Sequence, residues 1–294
     1  MTLRKRISPL VLMLLAAVVL VLLFADGTDP AEFHRPPLEE NPYSPTDFVL
    51  ENGYLTCTAG ESVLGIDVSE FQLDIDWEQV KAAGVEFVFI RAGWRGTESG
   101  LLNADKRAQE YYDGAKAAGL QVGAYFFSQA VSIREAKEEA DFALTVIEDW
   151  ELDLPLVYDW EYVSDTARTA NVDRRTLTDC TKAFCRQVEF HGYRPMVYFN
   201  TSQALHMLHL EELTEFEFWL AQYQPGLDFA YRVDCWQYTG QGSVPGISVP
   251  VDINLWLEQL GVVKKITHNI QYAAKNQQGF WWHFLCCFEG ETVI

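Results

Sequence analysis

Two acidic residues stand two positions apart at the end of an apolar run, in the segment Pro-Leu-Val-Tyr-Asp-Trp-Glu at residues 155–161. Side chains at positions i and i+2 of a strand point to the same face, so Asp159 and Glu161 are expected to emerge together while Trp160 points the other way. Such a carboxyl pair can divide into a proton donor and an ionised partner, which is the chemistry of glycoside hydrolysis. An isolated Asp-x-Glu is more often an exposed strand end, so the interpretation depends on the rest of the chain.

The elements that position this pair begin at residue 63, where short apolar strands alternate with amphipathic helices. The predicted strands cover residues 63–69, 87–93, 121–128, 156–162 and 196–200, and the predicted helices cover residues 77–83, 104–118, 132–150 and 174–191. Strict alternation implies a parallel sheet with right-handed crossovers, and this chain length suits a barrel better than an open sheet.

The pattern changes after residue 215. Three further strands are predicted over residues 216–223, 231–238 and 246–254, joined by turns too short to hold helices. We therefore expect an α/β fold, an irregular (β/α) TIM-like barrel with about five βα units followed by three strands with few helices.

Four acids are predicted at the carboxyl end of this barrel, where reactive groups collect in such folds. Asp67 follows the first strand, Asp159 and Glu161 follow the fourth, and Asp252 lies near the last. Each alone could cap a helix or pair with a cation. Four like charges at one barrel mouth repel and must be compensated, which favours a site.

A specific motif, Gly-Ile-Asp-Val-Ser-Glu-Phe-Gln-Leu-Asp-Ile-Asp-Trp, stands at residues 65–77. Further motifs follow it along the chain: Phe-Ile-Arg-Ala-Gly at 89–93, Gly-Ala-Tyr-Phe-Phe at 123–127, Asp-Trp-Glu at 159–161, Val-Tyr-Phe-Asn at 197–200, Trp-Leu-Ala-Gln-Tyr at 219–223, Trp-Gln-Tyr at 236–238 and Val-Asp-Ile-Asn at 251–254. In these motifs and in their order, the chain resembles glycoside hydrolase family 25, the Chalaropsis-type lysozymes, over roughly residues 63–257.

The resemblance implies an irregular (β/α) barrel that cleaves the β-1,4 bond between N-acetylmuramic acid and N-acetylglucosamine in peptidoglycan. It implies functional roles for Asp67, Asp159, Glu161 and Asp252. Glu161 is the expected general acid, and Asp159 the ionised group that stabilises positive charge on the sugar or on its acetamido group. Asp67 would orient substrate or assist as a base, and Asp252 would hold the network together. The expected sugar contacts are Tyr125, Tyr198, Gln222 and Trp236.

Two other functions fit parts of the pattern. A noncatalytic peptidoglycan-binding barrel would keep the groove and lose the chemistry, although the presence of all four acids argues against it. A chitinase-type barrel also carries Asp-x-Glu after its fourth strand, but its motif has two further aspartates where this chain has Leu154 and Val157.

Composition narrows the possible partners. The chain has 22 Lys and Arg against 42 Asp and Glu, a net charge of −20, which argues against a nucleic-acid partner because phosphate binding needs clustered cations. Its six cysteines show neither Cys-x-x-Cys nor Cys/His spacing, so neither a metal nor a cofactor is expected, and their pairing stays open. We expect a monomer that acts on glycan strands.

The remaining segments predict an exported protein. Three cations precede an apolar run at residues 7–24, so residues 1–25 are read as a membrane anchor or signal segment, with an uncleaved anchor favoured and secretion as the alternative. Residues 26–62 contain five of the eleven prolines and are predicted to be a tether. The barrel is assigned residues 63–260. Residues 261–294 form a tail that has no counterpart in the family pattern.

Overall fold

Eight strands close into a barrel in the computed structural model, which describes residues 36–257. The strands of the described chain are β1 Phe48–Glu51, β2 Tyr54–Cys57, β3 Ser62–Val68, β4 Phe87–Arg95, β5 Leu102–Ala104, β6 Gln121–Ser128, β7 Leu156–Trp160, β8 Pro195–Asn200, β9 Glu217–Ala221, β10 Cys235–Gly242 and β11 Val251–Leu257. The α-helices are α1 Trp77–Ala82, α2 Ala108–Ala117, α3 Ile133–Val146, α4 Arg174–Phe190 and α5 Thr201–His206.

The barrel follows the order β3-β4-β6-β7-β8-β9-β10-β11 and closes through pairing of β11 with β3. Neighbouring strands from β3 round to β10 are parallel, whereas β11 runs antiparallel to both of its neighbours. The predicted irregular α/β barrel, with five βα units followed by three strands, is confirmed. Helix α5 and the edge strand β5 were not predicted from the sequence.

The barrel interior divides into an apolar part and a polar part. The apolar cluster is rich in aromatic rings, and Phe89 stacks on Trp219 with 4.7 Å between ring centroids. Gly123 is required there, because a Cβ at this position would lie 2.4 Å from the ring of Phe89. Above these rings the inward positions hold polar side chains, including the buried Asp67 and Gln237. The helices cover the outside of the barrel and bury a second, larger apolar cluster.

A short hairpin packs on the barrel before its first strand. Strands β1 and β2 pair antiparallel, and the compact unit that contains the barrel begins at Leu38. Tyr43 and Phe48 are buried, and the ring of Phe48 lies 4.9 Å from that of Trp236 on β10. The tether predicted for residues 26–62 is therefore wrong over residues 38–57, because these apolar side chains bury themselves against the barrel wall.

Predictions for residues 1–35 and 258–294 lie outside the described residues. These include the membrane segment at residues 7–24 and the tail. Between residues 36 and 257, no helix is both long enough and apolar enough to cross a bilayer.

Candidate active site

A cleft of about 250 Å³ opens at the carboxyl ends of the parallel barrel strands. All four predicted acids, Asp67, Asp159, Glu161 and Asp252, line it. The other lining residues are Ser69, Phe71, Arg91, Tyr125, Phe127, Tyr198, Trp219, Tyr223 and Gln237.

The reversed direction of β11 explains how Asp252 reaches this end of the barrel. Asp252 is the second residue of β11, and an antiparallel strand begins where its parallel neighbours end. In the register of β11 on β3, Asp252 lies directly opposite Asp67. A residue at the start of one strand is thereby placed beside a residue near the end of another.

Asp67 is held by two amide side chains. The Nε2 group of Gln237 and the Nδ2 group of Asn254 each donate a hydrogen bond of 2.8 Å to Oδ2 of Asp67. The amide oxygen of Gln237 in turn accepts from the hydroxyls of Tyr198, at 3.0 Å, and Tyr223, at 2.9 Å. These bonds join β3, β8, β10 and β11 into one buried network that fixes the orientation of the carboxyl group.

The other branch of this network runs through Asn254. Its Oδ1 atom accepts a 2.8 Å hydrogen bond from the indole Nε1 of Trp219. Because Trp219 also stacks on Phe89, the polar network rests on the aromatic cluster that fills the barrel. Packing and hydrogen bonding therefore act together to hold Asp67.

Asp159 is buried, and one of its carboxyl oxygens makes no hydrogen bond within the described residues. Its Oδ1 atom is buried and has no hydrogen-bond partner in the described part of the chain. Burial raises the pKa of Asp159 well above its usual value, and the charges of Glu161 and Asp67 raise it further, while Arg91 lowers it. Its neighbour Trp160 points to the other face, as predicted, and its Nε1 donates to the carbonyl oxygen of Ala130 at 3.1 Å.

Glu161 and Asp252 also hold protons more tightly than usual. Burial raises the pKa of Glu161, and the charge of Asp252 raises it further. Burial raises the pKa of Asp252 to about 6, although a hydrogen bond with Asp67 opposes this change. For Asp67, burial followed by the charge of Asp252 moves the pKa well above its usual value. Burial and mutual repulsion thus raise the pKa of all four carboxyl groups and favour the protonated form that a general acid requires.

Arg91 is the cation that lines the cleft. Its Nε donates to Oδ2 of Asp105 at 2.8 Å, and its guanidinium lies 4.7 Å from the ring centre of Trp94 and 5.1 Å from that of Phe71. Since Asp105 already pairs with it, Arg91 only partly offsets the negative charge of the four acids.

Known proteins share the part of the chain that builds this cleft. The sequence profile described as "Glycosyl hydrolases family 25" matches residues 66–247, more than half of the chain. The chain belongs to glycosyl hydrolase family 25. The matched range contains Asp67, Asp159 and Glu161, and Asp252 follows shortly after it.

Similar proteins include bacterial lysozymes and an autolysin. An autolytic lysozyme of Clostridium acetobutylicum is 30% identical over 197 residues, which cover 66% of this chain and 56% of that protein. Lysozyme M1 of Streptomyces globisporus is 28% identical over 202 residues, covering 65% of this chain and 67% of that one. The modular autolysin LytC of Streptococcus pneumoniae superposes with a TM-score of 0.60 at 25% identity, covering 71% of this chain and 52% of that chain. The chain thus spans little more than half the length of the autolytic lysozyme and of LytC.

Two of the predicted sugar contacts of this family 25 protein lie outside the cleft. Trp236 is fully buried against the hairpin, and its Nε1 donates to the carbonyl oxygen of Gln222 at 2.8 Å. The Gln222 side chain donates to Thr201 at 3.3 Å and accepts from Gln224 at 2.9 Å. Trp236 therefore packs on the outer wall and Gln222 fixes a loop. Tyr125 and Tyr198 do line the cleft.

Two residues of the site that the sequence analysis missed are the immediate neighbours of Trp236 and Gln222. Gln237, next to Trp236, points inward and holds Asp67, while Tyr223, next to Gln222, lines the cleft. One signal was available, since Gln237 is a polar residue between two aromatic residues in an apolar strand. Phe71, Arg91 and Asn254 lay in the motifs that carried the family resemblance but had no assigned role.

The described chain gives no sign of metal or disulfide chemistry. Residues 36–257 contain no cluster of His, Cys, Asp and Glu that could hold a metal ion. The four cysteines in this range, Cys57, Cys180, Cys185 and Cys235, are free and buried.

Proposed function

We propose that this protein is a peptidoglycan hydrolase that cleaves the β-1,4 bond between N-acetylmuramic acid and N-acetylglucosamine. The observation that carries the proposal is the enclosure of Asp159 and Glu161 with Asp67 and Asp252 in one cleft at the barrel mouth. Family 25 membership supports it. So does the resemblance to an autolytic lysozyme and to LytC, which has been solved in complex with a synthetic peptidoglycan ligand.

Glu161 is the proposed general acid. Burial and the charge of Asp252 raise its pKa, so its carboxyl group retains a proton at a pH where an exposed glutamate has lost it. The proton passes to the glycosidic oxygen as the bond from that oxygen to the anomeric carbon of N-acetylmuramic acid breaks. The ionised Glu161 then accepts a proton from the water that completes hydrolysis.

Asp159 is the proposed partner of the substrate's own acetamido group. The acetamido oxygen attacks the anomeric carbon as the leaving oxygen departs, and positive charge develops on the ring that forms. The unpartnered Oδ1 of Asp159 supplies an acceptor for the acetamido N–H. Burial raises the pKa of Asp159 and so opposes its ionisation, which becomes favourable when that cationic group lies beside it.

Asp67 and Asp252 have supporting roles in this proposal. Asp67 is fixed by Gln237 and Asn254, and this rigidity suits a group that orients substrate. Asp252 raises the pKa of Glu161 and so helps the acid to keep its proton. Tyr125 and Tyr198 are the proposed glycan contacts, to which the cleft-lining Tyr223 is added.

We place the enzyme outside the cytoplasm as a monomer, held at the membrane by residues 1–25. Its substrate is extracytoplasmic, and the cationic flank before the apolar run at residues 7–24 favours export of everything that follows. If the segment is cleaved, the protein is secreted.

Product analysis tests the activity and separates it from the noncatalytic alternative. Purified peptidoglycan is digested, the new reducing ends are reduced with borohydride, and the resulting sugar alcohols are identified by mass spectrometry. The proposal expects muramitol. New glucosaminitol would indicate cleavage of the other glycosidic bond, and retention on the polymer without new reducing ends would favour a binding module.

A further inference from the structure

One buried side chain outside the cleft holds the main chain of Glu161. Gln129 follows the last residue of β6 and is fully buried. Its Nε2 group donates to the carbonyl oxygen of Glu161 at 2.8 Å. The same Nε2 group donates to the carbonyl oxygen of Ser128 at 2.9 Å, which fixes the amide plane.

Glu161 needs such support because the barrel ladder ends before it. The last residue of β7 is Trp160, which pairs in register with Ser128. Beyond Glu161 the chain emerges into solvent, and Tyr162 and Val163 are 43% and 48% exposed. The proposed acid is therefore the first residue of a loop, and the hydrogen bonds of the sheet do not fix its position.

The same glutamine also holds the far end of that loop. The amide oxygen of Gln129 accepts a 3.2 Å hydrogen bond from the hydroxyl of the fully buried Thr169. The main-chain oxygen of Gln129 accepts from the guanidinium of Arg168. Both ends of the loop at residues 161–169 are thus bound to Gln129, the residue that follows β6.

Gln129 is itself held by charged groups from α3. Its main-chain N–H donates to Glu139 at 3.3 Å, and Glu139 accepts from Arg95 at 2.7 Å. Arg168 forms two hydrogen bonds with Glu135, of 2.7 and 2.8 Å. The support behind the loop is thus a buried network connected to the helix layer, which limits how far Gln129 can move.

We propose that Gln129 is the positioning residue for the proton donor, holding Glu161 where its carboxyl group meets the glycosidic oxygen. This inference rests on the proposed function of Glu161. Gln129 is not among the residues that line the cleft, so its effect passes through the backbone of Glu161. A displacement of about 1 Å can cost about a hundredfold in rate, which gives this one hydrogen bond a large effect on proton transfer.

The variant Gln129→Met tests this role, because methionine fills a similar volume and cannot donate to Glu161. Two substrates separate proton transfer from binding and folding. One is a soluble GlcNAc-MurNAc oligosaccharide, whose sugar leaving group needs protonation. The other is the 4-nitrophenyl β-glycoside of GlcNAc-MurNAc, whose phenolate departs without a proton.

The expected result is a loss in kcat of about 10- to 100-fold on the oligosaccharide with KM changed less than about threefold. On the nitrophenyl glycoside the loss is expected to be less than about threefold. The alkaline limb of the pH profile should also move to lower pH. The released Glu161 becomes more hydrated, which lowers its pKa, and activity on this limb is lost as pH rises through that pKa.

A loss of equal size on both substrates would overturn the inference, as would a kcat on the oligosaccharide equal to that of the parent protein. Gln187→Met is the matched control, because Gln187 makes a 2.6 Å hydrogen bond to Asp141 on the outside of the barrel. If Gln129→Met fails to fold, Thr169→Val removes one of the loop's bonds to Gln129 with little change in volume. For Thr169→Val we then expect a smaller loss in kcat that is confined to the oligosaccharide. An equal kcat change on the two substrates would count against the proposal.

Glu161→Gln, assayed beside these variants, distinguishes failure of this inference from failure of the proposed function. If Glu161→Gln loses activity on the oligosaccharide and Gln129→Met does not, Gln129 is not the positioning residue, while the acid assignment stands. If Glu161→Gln keeps its activity, the assignment of the acid itself has failed.

Discussion

Asp252 lies directly opposite Asp67 where β11 pairs with β3, so two carboxyl groups face one another across adjacent strands. Like charges in this position destabilise a sheet when both are ionised. Amides of Gln237 and Asn254 bind Asp67, but the cleft provides only one cation, Arg91, among its lining residues. Ionisation of this pair therefore costs folding free energy, and that cost depends on pH.

We predict that Asp252→Asn stabilises the protein above pH 7 and not near pH 4. Burial raises the folded-state pKa of Asp252 to about 6 from an ordinary value of 3.8, so the folded state binds its proton more tightly than the unfolded state does. The stabilising effect of that proton is complete below about pH 4 and is lost as pH rises through about 6. Removing the charge should gain up to about 3 kcal/mol at pH 8.

Chemical denaturation at pH 4 and pH 8 measures this difference. Asp149→Asn is the matched control, since it removes one negative charge from an exposed position. Equal gains for the two variants at pH 8 would mean that the overall net charge, and not the burial of Asp252 in the cleft, determines the effect.

The hairpin before the barrel should contribute measurably to stability. Phe48 is 6% exposed and packs on Trp236, so Phe48→Ala should lower the free energy of unfolding by about 3 kcal/mol. Leu50→Ala in the same strand should change it by less than about 0.5 kcal/mol, because Leu50 is 70% exposed. Urea titration of both variants checks this. Similar losses of unfolding free energy for Phe48→Ala and Leu50→Ala would show that the hairpin packs loosely on the barrel.

The four acids could be predicted because each lies within or directly beside an apolar run that is visible in the sequence. Which neighbour points inward could not, since strands of a closed barrel are buried on both faces and do not alternate. The predicted sugar contacts Trp236 and Gln222 are therefore each one position away from the residues that line the cleft, Gln237 and Tyr223. The hairpin was missed because its prolines, including Pro42 and Pro45, resemble those of a linker.

The side-chain contacts that support the loop after β7 could not be predicted from the sequence either. Gln129 and Glu161 are 32 positions apart, and their hydrogen bond depends on how the end of β6 meets the loop after β7. No local pattern encodes a contact between one side chain and a distant carbonyl oxygen. The buried pair of Arg95 and Glu139 was missed for the same reason.

In cells we expect the protein to stay with the membrane. The apolar run at residues 7–24 follows three cations, which predicts an uncleaved anchor with the barrel outside. External protease should therefore digest the barrel in cells whose wall has been removed, while a cytoplasmic marker protein stays intact. Mature protein in the culture medium with an N-terminus near Asp26 would instead identify the segment as a cleaved signal.

Hydrolysis should retain the β configuration at the anomeric carbon. Asp159 and Glu161 are two positions apart and both line the cleft. Strand geometry predicts about 6.5 to 7 Å between their Cα atoms, and converging side chains would approach the separation of about 5 to 5.5 Å that is typical of retaining enzymes. Attack by the acetamido group followed by attack of water inverts this carbon twice. Proton NMR of the first-formed reducing end checks this, and an initial α product would contradict both retention and the role given to Asp159.

The most direct test of the central claim is the rate at which Glu161→Gln releases new reducing ends from peptidoglycan, measured beside its binding to the insoluble polymer. Glutamine keeps the size of the side chain and cannot give up a proton, so the rate should fall at least about a hundredfold while binding and thermal unfolding stay unchanged. Glu148→Gln, at an exposed position, should match the parent protein. A rate for Glu161→Gln within about threefold of the parent would contradict the assignment of Glu161 as the proton donor.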